Sequence, residues 1–397
     1  MELKLSSVAR MLTTSPIQEL SHLAQRHGAI NLAEGFPDFP APLEVKTAAI
    51  SAINTDFNQY RHVQSICELL EEKMKREHSL EVNALTDFVI CCGQTEAFAA
   101  TIFAIVEEGD EVILFDPAYE TYESCISLAG GIPVYVLLDP PYWTLDVEKF
   151  AKSFTNKTKA VVLNSPHNPT GKVYTAEELE VIAGACHSHN CFAITDEVYE
   201  HITFDAHKHV SLASFPGMQE RTIITSSLSK TFGITGWRIG WACTSANIAS
   251  AIRNIHIKLT DSAPAPFQEA AVTALKMPPG YYTSLKISYE AKRDKVVEML
   301  SSLGFQIKLK PQGSVFVFAE LPENWPNSDV DFVRELIKEA GVAAVPGRGF
   351  FHGGNTGYGR FVRFAFCKSD QTLETARRGF ETWRMATLSS TCSVREF

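Results

Sequence analysis

The sequence predicts an α/β protein: a large domain with a mainly parallel, seven-stranded sheet between helices, joined to a smaller α+β domain. Three observations carry this expectation. Short apolar runs alternate with helical patterns through the middle of the chain. Polar and charged residues follow directly on the carboxyl ends of several of these runs, where open α/β sheets bind ligands. Beyond residue 279 the pattern changes to one long helix followed by separate strands, and 397 residues are enough to bury a core in both parts.

Seven stretches read as strands of the large sheet, residues 87–92, 111–115, 132–137, 160–164, 191–196, 222–226 and 238–243. Between them lie helices, the clearest starting at Thr175, where T-A-E-E forms a capping box with Glu178. In the C-terminal part, residues 279–303 and 329–340 read as helices, and 306–310, 315–320 and 361–366 as strands. The glycine-rich stretch 347–359 reads as a mobile loop, and the tail T-C-S-V-R-E-F as frayed. The expected division is an N-terminal segment 1–45 joining the small domain, a large cofactor-binding domain 46–285 and a small domain 286–397.

Composition limits the partners. A net charge of −10 argues against nucleic acid and anionic membranes, and no apolar run is long enough for a membrane span. The first residues lack the features of a leader, so the expected location is the cytoplasm, with the nine cysteines as reduced thiols. Cys186, His187, His189 and Cys191 lie close together, but their spacing fits no tetrahedral zinc pattern, so no metal is expected. The glycines at 233, 236 and 240 give no dinucleotide fingerprint, and those of 347–359 give no P-loop.

Chemistry concentrates in residues 227–241, S-L-S-K-T-F-G-I-T-G-W-R-I-G-W. Lys230 lies between hydroxyl and small residues, and Arg238 returns a cation eight positions on. An amine that condenses with an aldehyde, beside a guanidinium fork and the Ser227 hydroxyl for a phosphate, suits pyridoxal phosphate. Asp196 ends the apolar run C-F-A-I-T-D; as a carboxylate beside a pyridine nitrogen it would keep the ring protonated and electron-poor. Tyr199, three residues on, can donate its phenol to the ring 3-oxygen. The segment N-S-P-H-N-P-T-G, from Asn164, cannot continue a strand through its prolines, and it presents the Asn168 amide to the same oxygen and to a substrate carboxylate. G-Q-T-E-A, from Gly93, opens a helix whose first N–H groups suit a phosphate. Arg363, in the alternating F-V-R-F-A-F, must be paired if buried, and an α-carboxylate is its natural partner.

In this order and spacing, N-S-P-H-N-P-T-G, T-D-E-V-Y-E, the Lys230 segment and V-R-F-A-F resemble the fold-type I, class I/II aminotransferases that use pyridoxal phosphate. The resemblance runs from A-E-G-F-P-D-F-P at Ala33 to the Arg363 strand. It implies Lys230 as imine-forming base, Asp196 on the pyridine nitrogen, and Tyr199 and Asn168 on the 3-oxygen. It also implies Tyr119 stacked on the ring, Gln94, Thr95, Ser227 and Arg238 around the phosphate, and Gly35 and Arg363 on the substrate carboxylate. Tyr60 matches a tyrosine given across a homodimer interface. A-I-N-L-A-E-G-F-P-D-F-P and N-Q-Y-R look most like the kynurenine, glutamine, methionine and aromatic aminotransferase branch, which implies ping-pong transfer from neutral or aromatic amino acids to 2-oxo acids. Two departures bear on the substrate: H-V-Q-S-I-C-E-L-L follows N-Q-Y-R, pointing to a different loop over the site, and Ile17 replaces a large aromatic. A β/γ-eliminating lyase or cyclising synthase would need the same motifs. A non-catalytic binding protein would have no need of the lysine, aspartate and arginine together.

Overall fold

The computed structural model describes residues 6, 9, 16–326, 328–352 and 358–393; the side chains of residues 16–18 and 385–393 lie outside this description. In chain order the strands are β1 (Ile30–Asn31), β2 (Phe88–Cys91), β3 (Glu111–Asp116), β4 (Ile132–Leu137), β5 (Thr158–Asn164), β6 (Phe192–Asp196), β7 (Thr222–Ser227), β8 (Gly240–Cys243), β9 (Phe316–Glu320), β10 (Val342–Ala343), β11 (Val345–Pro346) and β12 (Phe361–Ala365).

Seven of them form one sheet in the order β2-β8-β7-β6-β5-β3-β4. The pairs β3/β4, β3/β5, β5/β6 and β6/β7 are parallel, and only β8 runs against its neighbours β7 and β2. Alternate residues of β5 enter different apolar clusters, Ala160 and Val162 one, Val161 and Leu163 another. Burial on both faces explains why these strands read as continuous apolar runs. The chain leaves β3 for β4 on one side and continues through β5, β6 and β7 on the other, which opens a crevice beyond the carboxyl ends of the central strands. Register brings Asn164 opposite Asp196, and Asp196 opposite Thr225, so the polar ends of β5, β6 and β7 meet at one edge.

A second sheet, β11-β12-β9, is antiparallel and places Arg363 between Val345 and Phe318. β1 pairs in parallel with β10, tying residues 30–31 to the C-terminal part. The Thr175 capping box is present, with Glu178 N–H donating to Thr175 Oγ1 at 3.2 Å and Thr175 N–H to Glu178 Oε2 at 3.0 Å.

Several expectations need correction. Residues 306–310 form no strand; they make a single bridge, Gln306 to Glu320, while Ile307 and Leu309 pack on the core and Pro311 ends the run. The strand expected from residue 238 begins at Gly240, because Arg238 adopts a left-handed backbone (φ 56°). The helix expected over 329–340 is α-helical for Asp329–Glu335 and then a π-turn, Leu336–Ala340, closed by Gly341 at φ 64°. Within the glycine-rich stretch, Gly347–Phe350 is a 3-10 turn with Phe350 buried, and residues 353–357 are outside those described. The tail is helical through Ser393, and residues 394–397 are outside those described. Within H-V-Q-S-I-C-E-L-L, the residues from Gln64 on belong to the helix Gln64–His78, whose Ile66, Cys67 and Leu70 are buried. The Ile17 side chain is outside those described. His187 Nε2 lies 3.1 Å from Pro216 O and His189 stacks on Phe154, so the two histidines beside Cys186 and Cys191 already have other partners. Among the described residues no helix is long and apolar enough to cross a membrane.

Candidate active site

A cavity of about 360 Å³ opens at the carboxyl edge of the large sheet. Gly35, Gln94, Thr95, Tyr119, Asn168, Asp196, Tyr199, Ser227, Lys230, Arg238 and Arg363 all line it. Of the residues singled out from sequence only Tyr60 stands apart, 78% exposed on the surface.

Lys230 follows β7 in a tight turn, and its Nζ donates to Gly35 O at 2.6 Å and lies 5.9 Å from the Tyr199 ring centre. Burial lowers its pKa to about 8, assisted by the nearby Arg363 charge and opposed by the Cys367 and Asp196 side chains. Gly35 tolerates no larger residue, since a Cβ there would run into the Phe316 ring.

Asp196 ends β6 fully buried, and burial pushes its carboxyl up to about 6 against the opposing pull of the Tyr122 hydroxyl, the Val198 N–H and the Lys230 charge. Tyr122 OH donates to Asp196 Oδ2 at 2.6 Å and Val198 N–H to Oδ1 at 3.2 Å. Asn164, at the end of β5, donates its Nδ2 to Asp196 O at 3.0 Å and accepts the Asn168 N–H at 2.7 Å. One strand-end asparagine thus joins the Asp196 strand to the Asn168 loop.

Arg363 is 2% exposed. Its NH1 donates to Asn168 Oδ1 and its NH2 to Ala33 O, each at 2.9 Å. Phe316 and Phe350 flank the guanidinium, 4.1 and 4.7 Å from their ring centres to Cζ. Burial lowers its pKa to about 10, and its Nε, itself buried, has no partner among the described residues. A buried cation with an unmet donor beside a cavity is a seat for an anion.

The opposite end of the cavity is built from backbone. The helix Gln94–Ile105 starts there, directing its first N–H groups outward. Arg238 is held over this start by NH1 to Thr235 O at 2.8 Å and NH2 to Cys92 O at 3.1 Å. A Cβ on Gly93 would occupy the Arg238 guanidinium's place, and one on Gly240 would lie 2.5 Å from Gln94 N, so both glycines are there for space. Gln94's side-chain amide turns inward to Thr225 Oγ1 at 3.1 Å, and the Gln94 N–H, Thr95, Ser227 and Arg238 supply donors at this end. The cradle fits a phosphate and the Arg363 end fits a carboxylate. Lys230 and Asp196 line the same cavity.

Tyr122, Phe316 and Phe350 were missed from sequence. Tyr122 lies one helical turn beyond Tyr119, a spacing that puts both rings on one side, and this was the available signal. The two phenylalanines carried none.

The chain matches the family model for aminotransferases of class I and II over residues 27–380, and it belongs to that family. It is 38% identical to a kynurenine–oxoglutarate transaminase of Dictyostelium discoideum, covering 90% of this chain and 91% of the relative. It is 36% identical to a methionine aminotransferase of Escherichia coli, covering 92% and 95%. The solved structure of N-succinyldiaminopimelate aminotransferase from Mycobacterium tuberculosis superposes with a TM-score of 0.92 at 36% identity, over 96% of this chain and 100% of that one. The protein is an aminotransferase, with the α/β fold of its relatives.

Proposed function

We propose that the cavity binds pyridoxal 5'-phosphate and moves the α-amino group of a neutral or aromatic L-amino acid to a 2-oxo acid by a ping-pong mechanism. The observation that carries this reading is one cavity lined by a half-buried lysine, an anion cradle and a buried arginine. When bound, the cofactor supplies an aldehyde that holds the amino nitrogen and a ring that draws electrons from Cα.

The protein's residues do the rest. The first N–H groups of the Gln94 helix, with Thr95, Ser227 and Arg238, hold the phosphate, and Tyr119 covers the ring. Asp196 holds a proton on the pyridine nitrogen, and Tyr199 and Asn168 fix the 3-oxygen. Arg363, with Asn168 and the Gly35 segment, takes the α-carboxylate in a bidentate grip and so orients Cα toward Lys230. Lys230 Nζ would serve as the base that takes the Cα proton of the bound amino acid. Burial lowers the pKa of the Nζ amine, the direction a base requires.

Phe36, Tyr119 and Phe316 on the cavity wall favour apolar side chains, in keeping with relatives named for kynurenine and methionine. The helix Leu43–Asn54 exposes Leu43, Ile50 and Ile53 at 70%, 58% and 51%, close in sequence to Tyr60. Such a face supports a homodimer in which Tyr60 reaches the partner's phosphate. The division into 1–45, 46–285 and 286–397 belongs to the same reading, with its second boundary inside the helix Pro279–Ser302. Free thiols at eight described cysteines suit the cytoplasm.

A donor panel tests the assignment. With an oxo-acid acceptor, phenylalanine, methionine, glutamine and kynurenine should each be converted to their oxo acids faster than aspartate or glutamate. Ammonia released without acceptor, or preference for an acidic donor, would contradict it.

A further inference from the structure

Asp196 presents a physical problem that its neighbours must solve. It is 4% exposed, and a carboxylate so far from water prefers to be neutral unless donors hold its charge. A neutral carboxyl could not keep a proton on a pyridine nitrogen. Among the described residues its two oxygens have one donor each: the Val198 N–H on Oδ1 at 3.2 Å, and the Tyr122 hydroxyl on Oδ2 at 2.6 Å. The first is a backbone group that nearly any residue at 198 would supply. The second is shorter, comes from a side chain, and bridges positions 74 residues apart.

The Tyr122 ring is itself fixed. It lies 4.9 Å from the Phe98 ring and edge-on to Tyr119 at 5.7 Å, and it is 3% exposed. Burial first, and then the charge of Asp196, hold its hydroxyl proton far more tightly than an ordinary phenol's. Tyr122 therefore donates to Asp196 and does not compete for the proton. Tyr119, which caps the helix Glu120–Leu128, and Tyr122 on its first turn thus reach the same cavity from one rigid element.

We infer that Tyr122 is a positioning residue for the transamination: its hydroxyl sets the charge and the orientation of the Asp196 carboxylate, and acts on the reaction only through it. The inference rests on the reading of Asp196 as the partner of the pyridine nitrogen.

Tyr122→Phe removes the one oxygen and keeps the ring; Phe98→Leu disturbs the ring packing and keeps the hydroxyl. In the cofactor-loaded enzyme, the acid limb of the amino-acid half-reaction should move up by about one pH unit in Y122F, a tenfold loss on that limb. The rate on the alkaline side should stay near wild type, and F98L should leave the limb in place. The visible absorbance of the bound cofactor, titrated in parallel, should shift in the same direction. In the cofactor-free protein, carboxyl-13C aspartate NMR, assigned with D196N, should show Asp196 titrating about one unit higher in Y122F. An acid limb and an Asp196 titration that both superimpose on wild type would overturn the inference, as would an equal shift in F98L. A wild-type protein that binds no cofactor would sink the proposed function, and the cofactor-free titration would still decide whether Tyr122 governs Asp196.

Discussion

Arg363 is held so completely that its geometry can do only one thing. Two phenyl rings fix the plane of the guanidinium, and Asn168 and Ala33 take one N–H on each terminal nitrogen. What it has left, including Nε, is a planar set of donors that a lysine does not possess. Arg363→Lys should therefore raise the KM for the amino acid by roughly ten- to a hundredfold, the equivalent of one or two charged hydrogen bonds, with a smaller change in kcat. Steady-state kinetics across several donors would check this; a fall in kcat with KM unmoved would contradict a carboxylate role. At this scale sequence was informative where charge type alone carries meaning. Asp196 and Arg363 stand out as charges embedded in apolar runs, and Lys230 and Arg238 as cations in a turn of hydroxyl and small residues. Tyr122 and Phe316 do not, since a buried aromatic is ordinarily just core and their significance depends on partners far away in the chain.

Elements deliver these groups, and one contact between elements has a pH dependence that can be worked out. His352, just beyond the turn that carries Phe350, places Nδ1 3.1 Å from Asp116 Oδ1 at the end of β3 and Nε2 3.2 Å from Glu123 Oε2 on the helix Glu120–Leu128. Its ring also stacks on Tyr135 of β4, with centres 5.1 Å apart. Burial works against a charged imidazole here, but the Asp116 hydrogen bond and the Asp116 and Glu123 charges outweigh it, and the net shift is upward. A group whose folded pKa exceeds its unfolded value stabilises the fold fully below the unfolded pKa, about 6.5 for histidine, and loses that contribution as pH rises through the folded value. The gap in Tm between wild type and His352→Gln should accordingly be largest below about pH 6 and shrink above the ordinary histidine range. A gap that grows with pH would contradict the contact. Strands and the Thr175 cap were legible as elements because alternation, β-branched runs and capping residues are local signals. Residues 306–310 alternate just as well, yet they lack a continuous partner strand, and pairing is not written locally.

For the whole molecule, the decisive fact is that residues from every part of the chain converge on one cavity. Gly35 comes from the N-terminal segment, Asp196 from the large sheet, Lys230 from the turn that follows β7, and Arg363 from the second sheet. A continuous apolar cluster joins Phe115 and Leu163 to Phe316 and Phe364, so the sheet that carries Arg363 is packed against the large sheet. Motif order along the chain made the family legible, while the distances that turn motifs into a site follow from strand register, which the motifs do not encode. The proposed function makes Lys230 Nζ the base that moves the Cα proton. It is tested most directly by the exchange of the Cα proton of phenylalanine for deuterium in heavy water, with cofactor-loaded wild type and Lys230→Ala compared side by side. Exchange should be rapid in wild type and fall by at least about a hundredfold in the variant, the usual contribution of a positioned base. Exchange in Lys230→Ala within tenfold of wild type would contradict it.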